Sequence, residues 1–234
     1  MWSEFIGALS LLFGRDDALR DIIWTTLRMS ILSTLISSLI GLPLGAVIGA
    51  GGFRGKRLVM RVVNTLMGLP PVVGGLVVFL ILSRSGPLGT LKLLYTVTAM
   101  VIAQVVLITP IVTGMTAAVV ESRAGALRET CDGVGISRAR QLLYLLYESR
   151  TGLVTVVLSG FGRAIAEVGA VQIVGGNVQG KTRVMTTAIM METNMGHFDY
   201  AICLGVVLLI IAFAVNSAAR AIGDRGSERS GGKA

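Results

Sequence analysis

Charged residues are scarce in this chain. Only 15% of its 234 residues are Asp, Glu, Lys or Arg, where a water-soluble domain of this length carries roughly 25%. Cysteine occurs twice, at Cys131 and Cys203, in separate segments with neither pairing nor metal-ligand spacing, so no disulfide framework is expected. A single histidine, His197, has no Cys/His cluster beside it, which gives a zinc site no support. No Gly-x-x-x-x-Gly-Lys-Ser/Thr phosphate loop is present, so nucleotide hydrolysis by this chain is not expected. Paired carboxylates and a nucleophile with its base are missing too, and no catalytic residue is assigned. The opening MWSEF has no basic stretch and no cleavage site and does not read as a signal peptide.

What the chain has is apolar length. Apolar residues make up 53% of it, at a mean hydropathy of +0.77. Ile22 to Ala50 contains one charge, Arg28, while Val62 to Ser83 and Leu93 to Val120 contain none. A helix rising about 1.5 Å per residue needs roughly 20 apolar residues to cross a bilayer. Five crossings are expected, at about 22–50, 60–83, 93–120, 151–175 and 200–222, in an all-α integral membrane protein. The net charge of +8 then reflects topology rather than nucleic acid. Loop 51–61, loop 121–150 and the C-terminal tail together hold thirteen Lys and Arg, against six in the segments on the other side. That bias puts the N-terminus outside and the C-terminus in the cytoplasm.

Around the membrane core, over 21–222, two end segments stand apart. Residues 1–20 are expected to form an interfacial helix on the outer side, with Phe5, Ile6, Leu9, Leu12 and Phe13 on one face. The glycine-rich polar tail over 223–234 is expected to be disordered. Trp24 fits an interfacial anchor. No long internal repeat is visible, which counts against carriers built from inverted repeats.

The connection 121–150 is long. Ala124 to Asp132 favour helix, Gly133 and Gly135 break it, and Ser137 caps a second helix to about Glu148 that carries Leu142, Leu143, Leu145 and Leu146. A solvated helical connector would satisfy the same pattern. The run Arg128, Glu129, Thr130, Cys131, Asp132, Gly133, Val134, Gly135, Ile136 and Ser137 resembles the coupling loop of ABC importer permeases, in which Glu, two small residues and a glycine six after the Glu form a helix docking into an ATPase. Thr130 and Cys131 replace the usual alanines, and the family's later Ile-x-Leu-Pro element stands here as Leu145-Leu146-Tyr147-Glu148, without proline. The resemblance implies a type I ABC importer permease core in a prokaryotic inner membrane. It also implies a homodimer, served by a cytoplasmic ATPase dimer that holds the ATP and Mg, and by an extracytoplasmic substrate-binding protein. No cofactor in this chain and no nucleic-acid partner are expected; membrane lipid surrounds it.

The fourth crossing narrows the family. Gly160-Phe161-Gly162-Arg163-Ala164-Ile165-Ala166-Glu167-Val168-Gly169-Ala170 resembles the Gly-Arg-x-x-x-Glu-x-Gly-Ala signature of molybdate, tungstate and sulfate permeases. Val174 to Asn177, Gly180 to Arg183 and Met185 to Ile189 look most like the tungstate branch. Molybdate or sulfate is the alternative substrate, and an ion-coupled secondary carrier the alternative class.

Arg163 and Glu167 are four apart and can pair on one helical face. Charge inside a crossing costs roughly 2.5–3.5 kcal/mol and tends to face a cavity or a partner. The pair, with Asn177, therefore marks either the translocation path and gate or an ion pair joining spans or subunits. Gly162, Ala166 and Ala170 share a helical face at four-residue spacing and suit close helix packing. Pro70 and Pro71 should kink or break the second crossing, lining a pore or merely bending a helix; Pro43 and Pro110 receive the blander reading. Lys181 and Arg183 form an outer loop able to receive an anion, although two basic residues on a loop are common. Met190, Met191 and Met195 read as apolar gap-filling.

Overall fold

The computed structural model describes residues 17–133 and 136–231, with side chains excepted at 126–133, 138–139 and 222–231. Most of the expected helix at 1–20 and Gly135 lie outside the described residues, as do the side chains of Arg128 to Asp132.

Among the described residues every regular element is helical: α1 (Asp17–Ala50), α2 (Lys56–Met67), α3 (Pro71–Leu82), a 3₁₀ turn (Gly89–Leu91), α4 (Val97–Gly133), α5 (Arg138–Ile165), α6 (Gly169–Gly175), α7 (Met185–Met195) and α8 (Phe198–Gly231). Helices α1, α4 and α8 are each long and apolar enough to cross a membrane unaided. The second and fourth expected crossings are bent pairs, α2 with α3 at 94° and α5 with α6 at 57°; counting each pair as one span gives five. A multi-pass membrane protein follows.

Three expectations about helix limits need correction. The connection 121–150 is not a pair of separate helices: α4 runs unbroken from the third crossing to Gly133, and α5 runs from Arg138 through Glu148 into the fourth. Nothing at 121–123 or 148–151 breaks a helix, and each added residue of a nucleated helix gains a hydrogen bond without a new nucleation cost. By the same cooperativity α8 continues to Gly231, where composition pointed to an unstructured tail from 223. The fourth crossing, expected as one helix over 151–175, stops at Ile165 and restarts at Gly169. Gly162 and Ala170 therefore belong to different helices, and the expected small-residue face does not exist.

The chain divides into two compact units. One contains 34–69, 107–161 and the residues from Val215. Here α1 lies directly against α4 through Gly41, Gly45 and Gly49. A Cβ on Gly45 would stand 2.4 Å from the Thr113 carbonyl oxygen, and one on Gly49 2.5 Å from that of Ala117, so glycine at four-residue spacing is what lets the two backbones touch. Ala46, Val120, Ala124 and Leu145 form the buried cluster beside this seam, with Leu142 and Leu146 packed on it. Leu143, Tyr144 and Tyr147 point outward, so α5 buries one stripe rather than all its leucines. Lys56 pairs with Glu121 at 2.8 Å, and Arg123 with Glu148 at 3.4 Å. Arg123 also donates to the Glu148 carbonyl, which ties α4 to α5 at the base of the connection.

The other unit contains the described residues up to Ser33, with Pro70–Val106 and Gly162–Ala214. Its apolar core includes Met29, Met100, Ile165, Val171, Met185 and Leu204, all essentially inaccessible. Helix α7 docks on α1 through a backbone-to-side-chain hydrogen bond, Met185 N donating to Thr26 Oγ1 at 2.9 Å. Tyr95 N donates to the Val174 carbonyl at 3.0 Å, holding the loop before α4 against α6.

Candidate functional site

Within this second unit, α3 and α6, the second halves of both broken crossings, come together. Chain geometry makes the first break. Helix α2 ends at Gly68, and Pro70 adopts an extended conformation (φ −58°, ψ 126°) as the residue before α3. Pro71 takes the first helical position, where a missing N–H costs nothing. The Pro70 carbonyl accepts from Val73 N at 3.0 Å and from Gly74 N at 3.1 Å, starting the new helix. The break expected from the two prolines is present.

Helix α3 then packs on α6 at backbone distance. A Cβ on Gly75 would lie 2.5 Å from Ala170 Cα, and one on Gly169 2.8 Å from Val72 Cγ2. Immediately before α6 comes the second break, Ala166 to Val168, where Glu167 is 4% exposed. Burying a carboxylate in such surroundings is tolerable only if its oxygens are used, and both are. Oε2 takes a 2.7 Å bond from Arg163 Nη1, and Oε1 accepts the Ala170 N–H at 3.1 Å. The pairing expected from four-residue spacing therefore forms, though across a break rather than along one helix. The Arg163 side chain keeps 38% of its surface open, so the guanidinium is held on one side and available on the other.

The break also frees backbone carbonyls, which membrane interiors penalise unless another group donates to them. Ala164 O accepts from Gln104 Nε2 at 2.8 Å, and Glu167 O from Thr186 Oγ1 at 2.8 Å. Gln104, fully buried, completes its amide with Ser33 Oγ at 2.5 Å. None of these three was read from the sequence as part of a site. Gln104 carried a usable signal, since it is the one amide, acid or base between Leu93 and Val120. Thr186 and Ser33 carried none.

The remaining predicted residues fall elsewhere. Asn177 follows α6 at φ 52°, a left-handed conformation asparagine tolerates. Its Oδ1 accepts from Thr187 Oγ1 at 3.0 Å and its Nδ2 lies 3.3 Å from Met191 Sδ, so it pins the turn between α6 and α7. Lys181 and Arg183 border a cavity of about 670 Å³ together with Asp21, Glu192, His197 and Asp199. His197 Nδ1 lies 2.9 Å from Glu192 Oε2 at its rim, and Arg183 Nε is buried without a hydrogen-bond partner among the described residues. The cavity is thus lined by both signs of charge. Of the methionines read as gap-filling, Met190 and Met195 are exposed. In the connection between the third and fourth crossings, the backbone is helical to Gly133, and Ser137 precedes α5 with its carbonyl accepting the Gln141 N–H at 3.0 Å.

Five crossings, two of them broken and joined at their breaks, and a helical connection after the third together define the core of a type I ABC importer permease. The inward-facing MetNI methionine ABC transporter has this architecture: the match covers 87% of this chain and 95% of that one, at a TM-score of 0.68 and 20% identity, a likeness of fold. A family profile described as "Binding-protein-dependent transport system inner membrane component" matches residues 41–226, and the chain belongs to that family. Two relatives extend the likeness over nearly the whole length. The tungstate uptake system permease protein TupB of Peptoclostridium acidaminophilum is 42% identical, with 91% of this chain and 93% of the relative covered. The protein of the same name from Campylobacter jejuni is 39% identical, with 92% and 90% covered.

Proposed function

We propose that this chain forms the translocation path of an ATP-driven tungstate importer in a prokaryotic inner membrane. Identity of 42% to a tungstate uptake permease over 91% of the chain carries the reading. Two copies of the chain enclose the path. A binding protein delivers the oxyanion from outside, and a separate ATPase dimer, holding ATP and Mg, grips the connection 121–150 from the cytoplasm. Residues Arg128 to Gly133, with Gly135 and Ser137, provide the grip. The N-terminus is outside and the C-terminus inside, an orientation supported by the excess of Lys and Arg in loops 51–61 and 121–150.

The junction of the two breaks is the gate in this reading. Closure of the ATPase dimer rocks the crossings as rigid bodies, and the α3–α6 contact behind Pro70 and Pro71 moves as one piece. Arg163 supplies the positive charge a dianion needs in a low-dielectric path, where an unpaired anion is strongly disfavoured. Glu167, held by Arg163 and the Ala170 N–H, keeps that charge from becoming a trap. Lys181 and Arg183 receive the anion at the outer cavity, and Asn177 fixes the turn beneath them.

The test is ATPase activity and uptake in the complete complex reconstituted in liposomes, with tungstate, molybdate and sulfate compared at equal concentration. Tungstate should stimulate hydrolysis and be accumulated only with ATP. Equal or greater response to molybdate or sulfate would reassign the substrate. Uptake that continues without ATP while an ion gradient is held would reassign the class.

A further inference from the structure

The second break has no proline to enforce it, yet two of its backbone carbonyls take hydrogen bonds from side chains elsewhere in the same unit. Ala164 O, where α5 stops, keeps only a 3.3 Å backbone bond from Glu167 N. Gln104 presents its NH₂ end to it at 2.8 Å, which turns Oε1 toward Ser33 and draws the single Ser33 hydroxyl proton at 2.5 Å. Glu167 O, freed on the far side of the break, takes the Thr186 proton at 2.8 Å. All three donors are buried, Ser33 and Gln104 completely.

The two carbonyls lie within the Arg163–Glu167 segment: one sits between the arginine and the glutamate in sequence, the other on the glutamate itself. Thr186 lies in the first turn of α7, two residues beyond Val184, and its neighbour Met185 is hydrogen-bonded to α1. Movement of α7 therefore pulls on the backbone of Glu167 directly.

We propose that Gln104 and Thr186 are positioning residues of the importer gate, two latches that hold the 164–168 backbone so that Glu167 stays on Arg163 until transport moves it. The proposal rests on the function proposed above. Without its latch Glu167 O must find another partner, or Ala164 O is left with the Glu167 N–H alone, and the chain relaxes toward a continuous helix that carries Glu167 off Arg163. The closed gate is then less populated, and hydrolysis proceeds without vectorial uptake. Removing the donor to one buried carbonyl shifts such an equilibrium by about tenfold.

The experiment uses the complete complex in liposomes, with the ratio of tungstate taken up to ATP hydrolysed as the reading. Thr186→Val keeps the side-chain shape and removes only the donor, while Thr186→Ser keeps the donor and removes the methyl. Uptake per ATP should fall about tenfold in Thr186→Val and stay within about twofold of wild type in Thr186→Ser. Gln104→Leu should repeat the Thr186→Val result, and it takes its place if that variant fails to insert. An unchanged ratio in the donor-free variants would overturn the proposal, as would equal loss in Thr186→Ser. Failure of both Thr186→Val and Gln104→Leu to insert would reduce the latches to packing elements and also overturn it. The wild-type arm is judged separately: if it does not couple tungstate to ATP, the function fails, whatever the variants do.

Discussion

The break at Gly68–Pro70 and the break at Ala166–Val168 interrupt two crossings that pack against each other, but the chain makes them by different means. At the first, Gly68 ends one helix, Pro70 cannot donate to the preceding turn, and Pro71 starts the next. Everything needed lies within four consecutive residues. At the second, Arg163 to Glu167 are residues that favour helix, and only Gly169 weakens it. The donors that satisfy that break come from 60 and 19 positions away in sequence. A locally encoded break is stiff, because no rearrangement of neighbours restores a proline's N–H. A tertiary break is conditional, because moving the donors removes its support. If one of the two changes during transport, the second is the one equipped to do so.

That contrast is broken most severely at Glu167. Replacing it with leucine leaves the Arg163 guanidinium and the Ala170 N–H without their partner. Removing one member of a buried ion pair costs roughly 3–5 kcal/mol, but the half-open Arg163 is partly rescued by solvent, so a loss of about 2 kcal/mol is expected. The purified permease should unfold at lower temperature in detergent, and Glu167→Gln, which keeps one acceptor oxygen but turns a donating NH₂ toward the other partner, should also be destabilised, though less than Glu167→Leu. The pair Arg163→Met with Glu167→Leu should be more stable than Glu167→Leu alone, since no uncompensated charge remains. Additive losses in the pair would mean that the ion pair is not what holds this break.

The sequence showed the first break and hid the second for the same physical reason. Proline acts on its own backbone and can be read at its own position. Glu167 is a good helix former whose geometry is decided by Gln104, Thr186 and Ser33, none of which is its neighbour in sequence. The charged pair was legible because spacing and cost both announce it. That it spans a gap was not. The small-residue stripe at Gly162, Ala166 and Ala170 misled, since it presumed one helix through the gap. The ladder of Gly41, Gly45 and Gly49, which does bring two backbones together, was written in the sequence at four-residue spacing and passed unread. The five crossings were legible because apolar length is a local property, but the limits of the fourth and fifth were not. The helical continuity through 121–133 and 138–150 was masked by the charge density of that stretch.

Between the two breaks lies the contact that joins them, and glycine there sharpens the comparison with a smaller effect. A methyl on Gly75 would stand 2.5 Å from the Ala170 backbone, which cannot yield as a side-chain end would. Gly75→Ala should cost roughly 1–3 kcal/mol by forcing α3 off α6, and uptake should fall with it. Gly162→Ala is the matched control, because nothing lies within 4 Å of its new methyl. It sits inside α5, where alanine is preferred by roughly 0.5–1 kcal/mol. Thermal unfolding of the two variants should therefore move in opposite directions. Movement in the same direction would mean that α3 and α6 do not depend on their close approach.

The smallest effect is expected at Pro71. Its N–H would be one of the orphan donors at the start of α3, so Pro71→Ala loses no hydrogen bond and should change stability by less than about 1 kcal/mol. Pro70 remains to keep the chain extended, and Gly68 remains to end α2. Removing Pro70 as well leaves Gly68 as the remaining local helix breaker. With both replaced by alanine, no proline interrupts residues 56–82, which as one helix of 27 residues would be about 40 Å long and sufficient to cross unaided. The break should then persist only if the α3–α6 contact can hold it as Gln104 and Thr186 hold the other. Spin labels on α2 and α3 would read the outcome as a distance: an unchanged separation in the double variant would show that the first break, too, is tertiary, and the distinction between the two would be lost.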